Sequence, residues 1–260
     1  MGNTTDTAGG VQSVDRALTI LTVLARLGQA GVSEIAAELG VHKSTAFRLM
    51  ATLENHDIVE QTEVRGKYRL GLGLVRLAGA SSARLDVVQE ARPVCRRLAA
   101  ESGETVNLAV LSEGSALYVD QVSGMSGVPS HNWVGQHIPL HATSNGKVLL
   151  SGLEPAEVDL RLGDQLPELP AYTHRTITSR AGLLRELDIV REQGYAVAAD
   201  ELEVGLTALA APVRSAHGDV IASISLSGQT FRLPDPRVAE LVPVVVAAGA
   251  EVSRRLGWDS

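Results

Sequence analysis

From Val32 to Leu53 the chain runs VSEIAAELGVHKSTAFRLMATL, and this stretch decides the fold of the region around it. Its first half predicts a short helix that Ser33 caps and that Gly40 ends, because glycine tolerates a left-handed backbone. In the second half, apolar residues recur at i, i+3, i+4 and i+7, which puts them on one buried helix face: Ala46, Leu49, Met50 and Leu53. The stretch therefore predicts two helices joined by a tight turn.

The opposite face of the second helix is polar. It carries hydroxyl and basic side chains, mostly in the first turns: Lys43, Ser44, Thr45, Arg48 and Thr52. Such groups at the N-terminal end of a helix that is anchored from behind suit insertion into the DNA major groove. Phe47 is predicted to pack in the core, with contact to a thymine methyl as the alternative. A plain helical hairpin with a solvated polar face would show the same pattern, and the flanking sequence argues against it.

The flanking segments complete a larger unit. Residues 13–27 predict an amphipathic helix that Ser13 caps, with a buried stripe of Val14, Ala17, Leu18, Leu21, Leu24 and Ala25. Residues 58–61 and 67–70 predict two strands around a turn that contains Gly66. Basic residues at or beside the tip of this hairpin would contact phosphate or the minor groove: Arg65, Lys67 and Arg69. Three helices and a basic hairpin in this order predict a winged helix-turn-helix.

The composition predicts a soluble, cytoplasmic, globular protein. The 260 residues are 45% hydrophobic and 20% charged, which suffices for a full core. The formal net charge is -7, but residues 1–80 hold equal numbers of basic and acidic side chains, so a local basic surface is possible. Cys95 is the only cysteine, which fits a reducing compartment, and its apolar-patterned helix predicts a small buried filler. No apolar run is long enough to cross a membrane.

The domain organisation follows from the order of the elements. We expect a disordered tail at 1–10, the winged domain at 11–71, a linker helix at 72–85 and a second domain at 86–260. In that domain, strands, then helices, then strands and a final helix predict an α+β fold. The linker carries more apolar residues than a solvated helix needs: Leu72, Leu74, Val75, Leu77 and Ala78. A two-fold contact with a second chain, or packing on the second domain, would explain them.

Several long stretches resemble the IclR family of transcriptional regulators and together span nearly the whole chain. They are SVDRALTILTVL (13–24), residues 33–60, GKYRLGLGLVRLAG (66–79), ETVNLAVL (104–111), PLHATSNGKVLL (139–150), GYAVAADELEVGLTALAAPV (194–213) and GDVIASISLSG (218–228). The resemblance implies a winged domain, a linker helix and a GAF-like effector-binding domain. It also implies a homodimer or dimer of dimers, more often a repressor, that controls catabolic genes in response to a metabolite. Because one domain offers few DNA contacts, we expect a palindromic double-stranded operator.

The resemblance also places an effector pocket between the sheet and residues 141–147 and 200–208. The implied contacts are His141, Thr143, Ser144, Gly146, Asp200, Ala208, Ser225 and Ser227. Free N–H groups at the loop-to-helix junction of 141–147 favour an anion such as a carboxylate, and Ser225 and Ser227 share one strand face. Alternatively, Asp200 lies in an exposed acidic loop and does not face the pocket. Ala208 and Ala198 stand where some relatives have cysteine and aspartate, which favours an aromatic or longer aliphatic acid over glyoxylate.

Other motifs are weaker. Ser144 and Lys147 match S-x-x-K, but its companions S-D-N and K-T-G are absent, so Lys147 is predicted to hold a carboxylate or carbonyl of the fold. His137 and His141 have a zinc-like spacing, but Pro139 between them favours extended backbone. We therefore expect no metal, no cofactor and no enzymatic activity. The alternative is an enzyme or metabolite-binding module that uses the winged domain for protein contacts.

Overall fold

The computed structural model describes residues 11–62, 66–79, 82–124, 132–163 and 168–258, without the side chains of 78, 79 and 82–86. The chain forms two compact units, Met1–Leu85 and Asp86–Ser260. Each has its own hydrophobic core. Among the described residues no helix is both long and apolar enough to span a membrane.

The first unit packs three helices against a small antiparallel sheet. Its elements are α1 (Gln12–Leu27), β1 (Ala30–Gly31), α2 (Val32–Glu38), α3 (Lys43–Asn55), β2 (Val59–Gln61) and β3 (Lys67–Leu70), with strand order β1-β3-β2. Ala46 and Met50 are fully buried on α3, and Leu49 and Leu53 pack against the same core. The predicted helix pair, its buried face and the hairpin are therefore confirmed.

Three details of this unit differ from the expectation. Ser33 does not cap α2; the helix begins one residue earlier, and the N–H of Gly31 donates to Glu34 Oε2 at 2.6 Å. Ser13 does not cap α1, which begins at Gln12. The stripe on α1 was placed only partly correctly: Leu24 is fully buried and Leu21 packs against the core, but Val14 and Leu18 are more than half exposed, and Ile20, which was not in the predicted stripe, is fully buried.

A helix follows the hairpin, as predicted for the linker. It is α4 (Gly73–Gly79), and from residue 82 the chain belongs to the long helix α5 (Ser82–Ser102). Leu72, Val75 and Leu77 are exposed in the single chain. Glycine is required where this segment starts, because a Cβ at Gly73 would lie 2.6 Å from the carbonyl oxygen of Asp57.

The second unit is a six-stranded antiparallel sheet with helices on both faces. The strands are β4 (Thr105–Ser112), β5 (Ser115–Val122), β6 (His137–Ile138), β7 (Ala196–Ala199), β8 (Leu206–Arg214) and β9 (Val220–Gln229), in the order β6-β5-β4-β9-β8-β7. Besides α5, the helices are α6 (Ser144–Ser151), α7 (Pro155–Leu162), α8 (Arg180–Gln193) and α9 (Asp235–Arg255). The predicted α+β order is therefore confirmed.

Strand alternation divides the sheet into two faces. Leu108, Ile224 and Leu209 point towards α5 and α9 and form the larger core. Cys95 of α5 is buried in this core, as predicted, and burial raises the pKa of its thiol to about 12. The residues between them on the same strands face the side on which α6 packs, and there they are small or polar: Ala109, Asn107, Ser223, Ser225, Ala208 and Ala210. This second face holds the cavity described below.

A buried cation fastens α6 to its surroundings. Lys147 is 1% exposed, and its Nζ donates to Glu201 Oε1 at 2.7 Å, to Glu186 Oε1 at 3.0 Å and to the carbonyl oxygen of Val197 at 3.2 Å. Its predicted role as the holder of a carboxylate and a carbonyl is thus confirmed. Burial raises the pKa of Glu201, and the charge of Lys147 opposes that rise.

We predict that Lys147→Met lowers the free energy of unfolding at pH 7 by about 3–5 kcal/mol, because Glu201 would be left buried without its cation. Loss of Lys147 raises the pKa of Glu201 further above its unfolded value. When the folded pKa of a carboxyl group is raised, destabilisation builds up as the pH rises from the unfolded pKa to the folded pKa, so the deficit should shrink as the pH falls towards about 5. Urea unfolding across this pH range measures it.

The matched control is the double variant Lys147→Met/Glu201→Gln, which has no unpaired Glu201 carboxylate. It should be more stable at neutral pH than Lys147→Met alone, with a weaker dependence on pH. A deficit of the same size at every pH and in both variants would contradict this role of the pair.

Candidate functional site

Helix α3 presents a cationic, hydroxyl-bearing face to solvent. Lys43, Ser44, Arg48 and Thr52 are exposed there, and Thr45 is half-buried. Lys43 is the first residue of the helix, and the N-cap residue His42 makes no side-chain cap bond. The first N–H groups of the helix have no intrahelical acceptor, so they add positive potential beside Lys43. The Thr52 hydroxyl donates to the carbonyl oxygen of Arg48 at 3.0 Å, which directs it back to its own helix.

Phe47 lies on this exposed face and not in the core. Its side chain is 54% exposed, so the prediction that it packs inside was wrong. One helical turn separates it from Lys43, and Arg48 is its neighbour. The buried face is already filled by Ala46 and Met50 on one side of the helix, and position 47 falls outside that arc.

The hairpin contributes less free charge than the sequence implied. Arg69 is exposed, but its Nε donates to Glu60 Oε1 at 2.7 Å across the β2–β3 pair. Lys67 is half-buried at the start of β3. Arg65 lies outside the described residues. Among the described basic residues of the predicted interface, Lys43 and Arg48 on α3 are therefore the ones that project from an exposed surface without an ion pair.

The second unit contains a cavity of about 240 Å³ between the sheet and the N-terminus of α6. Four of the eight residues implied as effector contacts line it: Thr143, Ser144, Ala208 and Ser227. The other four, His141, Gly146, Asp200 and Ser225, are not among its lining residues. Aromatic and aliphatic side chains form part of the wall, among them Tyr118, Trp133, Ile138 and Leu206.

Asp200 and Ser225 support the cavity from behind. Asp200 has a φ of 58° and accepts hydrogen bonds from the Gly205 N–H at 2.7 Å and the Thr230 hydroxyl at 2.9 Å. These hydrogen bonds lower the pKa of its carboxyl group, and they hold the turn between β7 and β8. Ser225 is 1% exposed and accepts from Asn145 Nδ2 at 2.7 Å.

His141 and Gly146 also have structural contacts. His141 is buried, its Nε2 lies 2.9 Å from the carbonyl oxygen of Pro170, and its ring lies against Tyr172. Burial lowers the pKa of this imidazole, which favours its neutral form. Gly146 touches the preceding loop so closely that a Cβ would lie 2.2 Å from the carbonyl oxygen of Leu140. These contacts place the N-terminus of α6 directly over the sheet.

The N-terminus of α6 lies at one end of the cavity. The Thr143 hydroxyl caps the helix by accepting a hydrogen bond from the Gly146 N–H at 3.1 Å. The backbone N–H groups of Ser144 and Asn145, in the first turn, have no acceptor within the helix. The Asn145 side chain binds the sheet: its Oδ1 accepts a hydrogen bond from the Ser223 hydroxyl, and its Nδ2 donates one to Ser225 Oγ. Ser144 is 1% exposed and lines the cavity, and its Oγ has no hydrogen-bond partner among the described residues. Buried hydroxyl groups without a partner are exceptions in folded proteins, so this atom distinguishes the α6 end of the cavity.

Sequence reasoning missed one side of the cavity entirely. Asn107 of β4, Glu104 just before it and Arg232 just after β9 line the wall, and Arg232 Nη2 pairs with Glu104 Oε2. They come from segments more than a hundred residues apart, which the β4–β9 pairing brings together. Glu104 and Asn107 lie in the stretch ETVNLAVL, for which the resemblance implied no ligand contact, and strand alternation alone could have put Asn107 on the same face as Ser225.

Two family matches cover most of the chain. Residues 13–63 match the IclR helix-turn-helix domain, and residues 80–254 match the family described as "Bacterial transcriptional regulator IclR C-terminal". The HTH-type transcriptional regulator XynR of Escherichia coli K12 is 33% identical over 251 residues, which are 96% of this chain and 99% of that protein. The HTH-type transcriptional repressor AllR of the same strain is 34% identical over 249 residues, 95% of this chain and 91% of its own.

The fold comparison agrees with the sequence comparison. A crystal structure of an IclR homologue from Microbacterium hydrocarbonoxydans, complexed with 4-hydroxybenzoate, is similar with a TM-score of 0.79 and 28% identity. The similarity covers 95% of this chain and 98% of that one. With both of its units matched, the chain belongs to the IclR family of DNA-binding transcriptional regulators, which pair a helix-turn-helix with a ligand-binding C-terminal domain.

Proposed function

We propose that the protein is a repressor that binds a palindromic operator as a homodimer or dimer of dimers and that a carboxylic acid of a catabolic pathway controls its operator affinity. The observation that carries the proposal is the buried Ser144 hydroxyl, which lines the cavity at the N-terminus of α6 and has no hydrogen-bond partner in the part of the chain that the structure describes. The cationic face of α3 supplies the DNA-binding surface.

The proposed DNA contacts are made mainly by α3. Lys43, Ser44, Thr45 and Thr52 would contact phosphates or clamp the groove, and Arg48 would donate to a guanine edge. Lys67, Arg69 and Arg65 are proposed as wing contacts to phosphate. Because one helix and one short hairpin make few contacts, useful affinity requires two copies on adjacent half-sites. Exposed Leu72, Val75 and Leu77 on and beside α4 support contact with a second copy.

We predict that Arg48→Ala weakens operator binding by about 1–3 kcal/mol and relaxes the preference at one base pair of each half-site. The operator is selected from random duplexes with the wild-type protein, and affinity is measured by fluorescence anisotropy at fixed salt. Arg237→Ala is the matched control, because Arg237 is half-exposed on α9 and pairs with Glu240. Equal losses in both variants would contradict the assignment.

Phe47 allows a second test of the same face. An exposed aromatic ring beside Arg48 is suited to apolar contact with a thymine methyl. Replacing one thymine of each half-site by uracil should weaken wild-type binding by about 0.8 kcal/mol per half-site, the value of one buried carbon. Phe47→Ala should bind the thymine and uracil operators equally well while keeping the wild-type melting temperature. A uracil effect that persists in Phe47→Ala would contradict the contact.

The effector is proposed to be an aromatic or longer aliphatic acid with its carboxylate at the N-terminus of α6. The cavity of about 240 Å³ exceeds the roughly 150 Å³ that holds a benzene molecule in an engineered protein. Ala198 and Ala208 leave room on the sheet, and Tyr118 and Trp133 offer aromatic surface. The positive end of the helix and the Ser144 hydroxyl supply the donors that a carboxylate requires.

We predict that Ser144→Asp abolishes acid binding, because its carboxylate would occupy the anion position and repel a second one. The fold should persist, since an acidic residue in the first turn of a helix is favourable. A thermal-shift panel of carboxylic acids, followed by operator binding with each hit, provides the measurement, and the neutral Ser144→Asn serves as the control. If Ser144→Asp still binds acids as the wild type does, the carboxylate is not at this helix.

A further inference from the structure

Lysine is scarce in this chain, and one of its lysines is exposed. Of the 23 basic residues, 20 are arginine and three are lysine: Lys43, Lys67 and Lys147. All three lie in the described part of the chain. Lys147 is 1% exposed and donates to three oxygen atoms, and Lys67 is half-buried at the start of β3. Lys43 is therefore the exposed side-chain amine, and it is the first residue of α3.

The surroundings of Lys43 leave its amine available. No ion pair involves this residue in the described part of the chain, and the first turn of α3 has no acidic side chain. His42 and Arg48 are exposed on the same helix end and carry no negative charge. The first N–H groups of α3 add positive potential. The surface that would attract DNA phosphates therefore also attracts small phosphorylated molecules.

Lys43 differs from the arginines in its chemistry, because a lysine amine can react once it loses its proton, whereas a guanidinium stays protonated. Acyl phosphates and acyl thioesters, the activated forms of carboxylic acids, transfer their acyl group to such an amine. The nitrogen attacks the acyl carbon and an amide bond forms. The bond from that carbon to the phosphate oxygen or thiol sulfur breaks, the leaving group takes the electron pair, and the nitrogen releases a proton to water. A neutral amide with one N–H donor replaces an ammonium group with three.

We infer that Lys43 is a site of acylation by activated carboxylic acids and that this modification weakens DNA binding. The inference rests on the proposed contacts of α3 with the operator and adds a second route of control that does not use the cavity. Acylation removes one positive charge per half-site and leaves Arg48, the proposed base contact, unchanged. Because phosphate contacts carry no sequence information, affinity should fall for every duplex alike while the preferred sequence stays the same.

The acyl transfer is tested on the full-length protein with acetyl phosphate and with acetyl-coenzyme A in separate reactions. Mass spectrometry of the digested protein measures the modified fraction at each lysine over time. We expect Lys43 to react faster than Lys67 and Lys147 with at least one reagent, and the reagent that reacts identifies the donor class. Saturating operator should protect Lys43, since its amine would then lie at a phosphate. A Lys43 that stays unmodified with both reagents, or that reacts equally fast on the operator, would overturn the inference.

The effect on DNA binding is tested with Lys43→Arg as the matched variant, because arginine keeps a positive charge and is not acylated by these reagents. Each protein is compared with its own untreated form by fluorescence anisotropy over a range of salt concentrations. Acylation should reduce the wild-type slope of log K against log salt by about one per half-site, the value of one phosphate contact. The slope of Lys43→Arg should not change on treatment. An equal loss in both proteins would assign the effect to another amine and overturn the inference.

The design separates this inference from the proposed function. Melting temperatures show that each treated protein is folded, and the untreated wild-type protein, with and without carboxylic acids, tests the proposed regulator by itself. Protein that is fully acylated at Lys43 and binds the operator as tightly as before contradicts the inference while operator binding stands. Untreated protein that prefers no duplex contradicts the proposed function, whatever the mass spectra show. A preferred base pair that changes on acylation would also overturn the inference, because Lys43 would then read a base.

Discussion

The second unit depends on how closely the N-terminus of α6 lies against the sheet. Three consecutive residues create this contact: Asn145 hydrogen-bonds to two serines of β9, Gly146 has no side chain to separate it from Leu140, and Lys147 binds Glu201 from below. The first free N–H groups of the helix therefore face the cavity in one orientation. Preorganised donors of this kind cost little ordering when a ligand arrives, so the same packing that stabilises the unit also prepares it for binding.

In the first unit, the spacing of apolar residues predicted the helices and strands, but it did not predict every residue on their buried faces. The helix pair and the hairpin were found because apolar residues recur at helical or strand periods over whole elements. Phe47 was misplaced because hydrophobicity argues for burial, whereas the arc of α3 that meets the core is already occupied by Ala46 and Met50. On α1, the predicted stripe correctly included Leu24, but tertiary packing buries Ile20 and leaves Val14 and Leu18 exposed.

The cavity shows more clearly which residues a sequence pattern cannot place. Thr143, Ser144 and Ser227, which the family resemblance implied as contacts, do line the cavity. Asp200 and Ser225, taken from the family resemblance, lie beside the cavity and hold its frame. Asn107 lies in the ETVNLAVL stretch, for which the resemblance implied no ligand contact, and Arg232 lies outside the stretches that resemble the family, so neither was predicted as a site residue. Only the register of β4 against β9 makes them neighbours, and register is a property of the folded sheet.

The alanines at the base of the cavity have a consequence for how such a regulator can change its chemistry. Ala198 and Ala208 are paired across β7 and β8, and their side chains donate and accept no hydrogen bonds. Serine or valine at either position would alter the volume and polarity offered to a ligand without touching Asn145, Lys147 or the turn at Asp200. A change of ligand preference can therefore begin with substitutions at Ala198 and Ala208, because these side chains take no part in the hydrogen bonds that hold α6 and the turn.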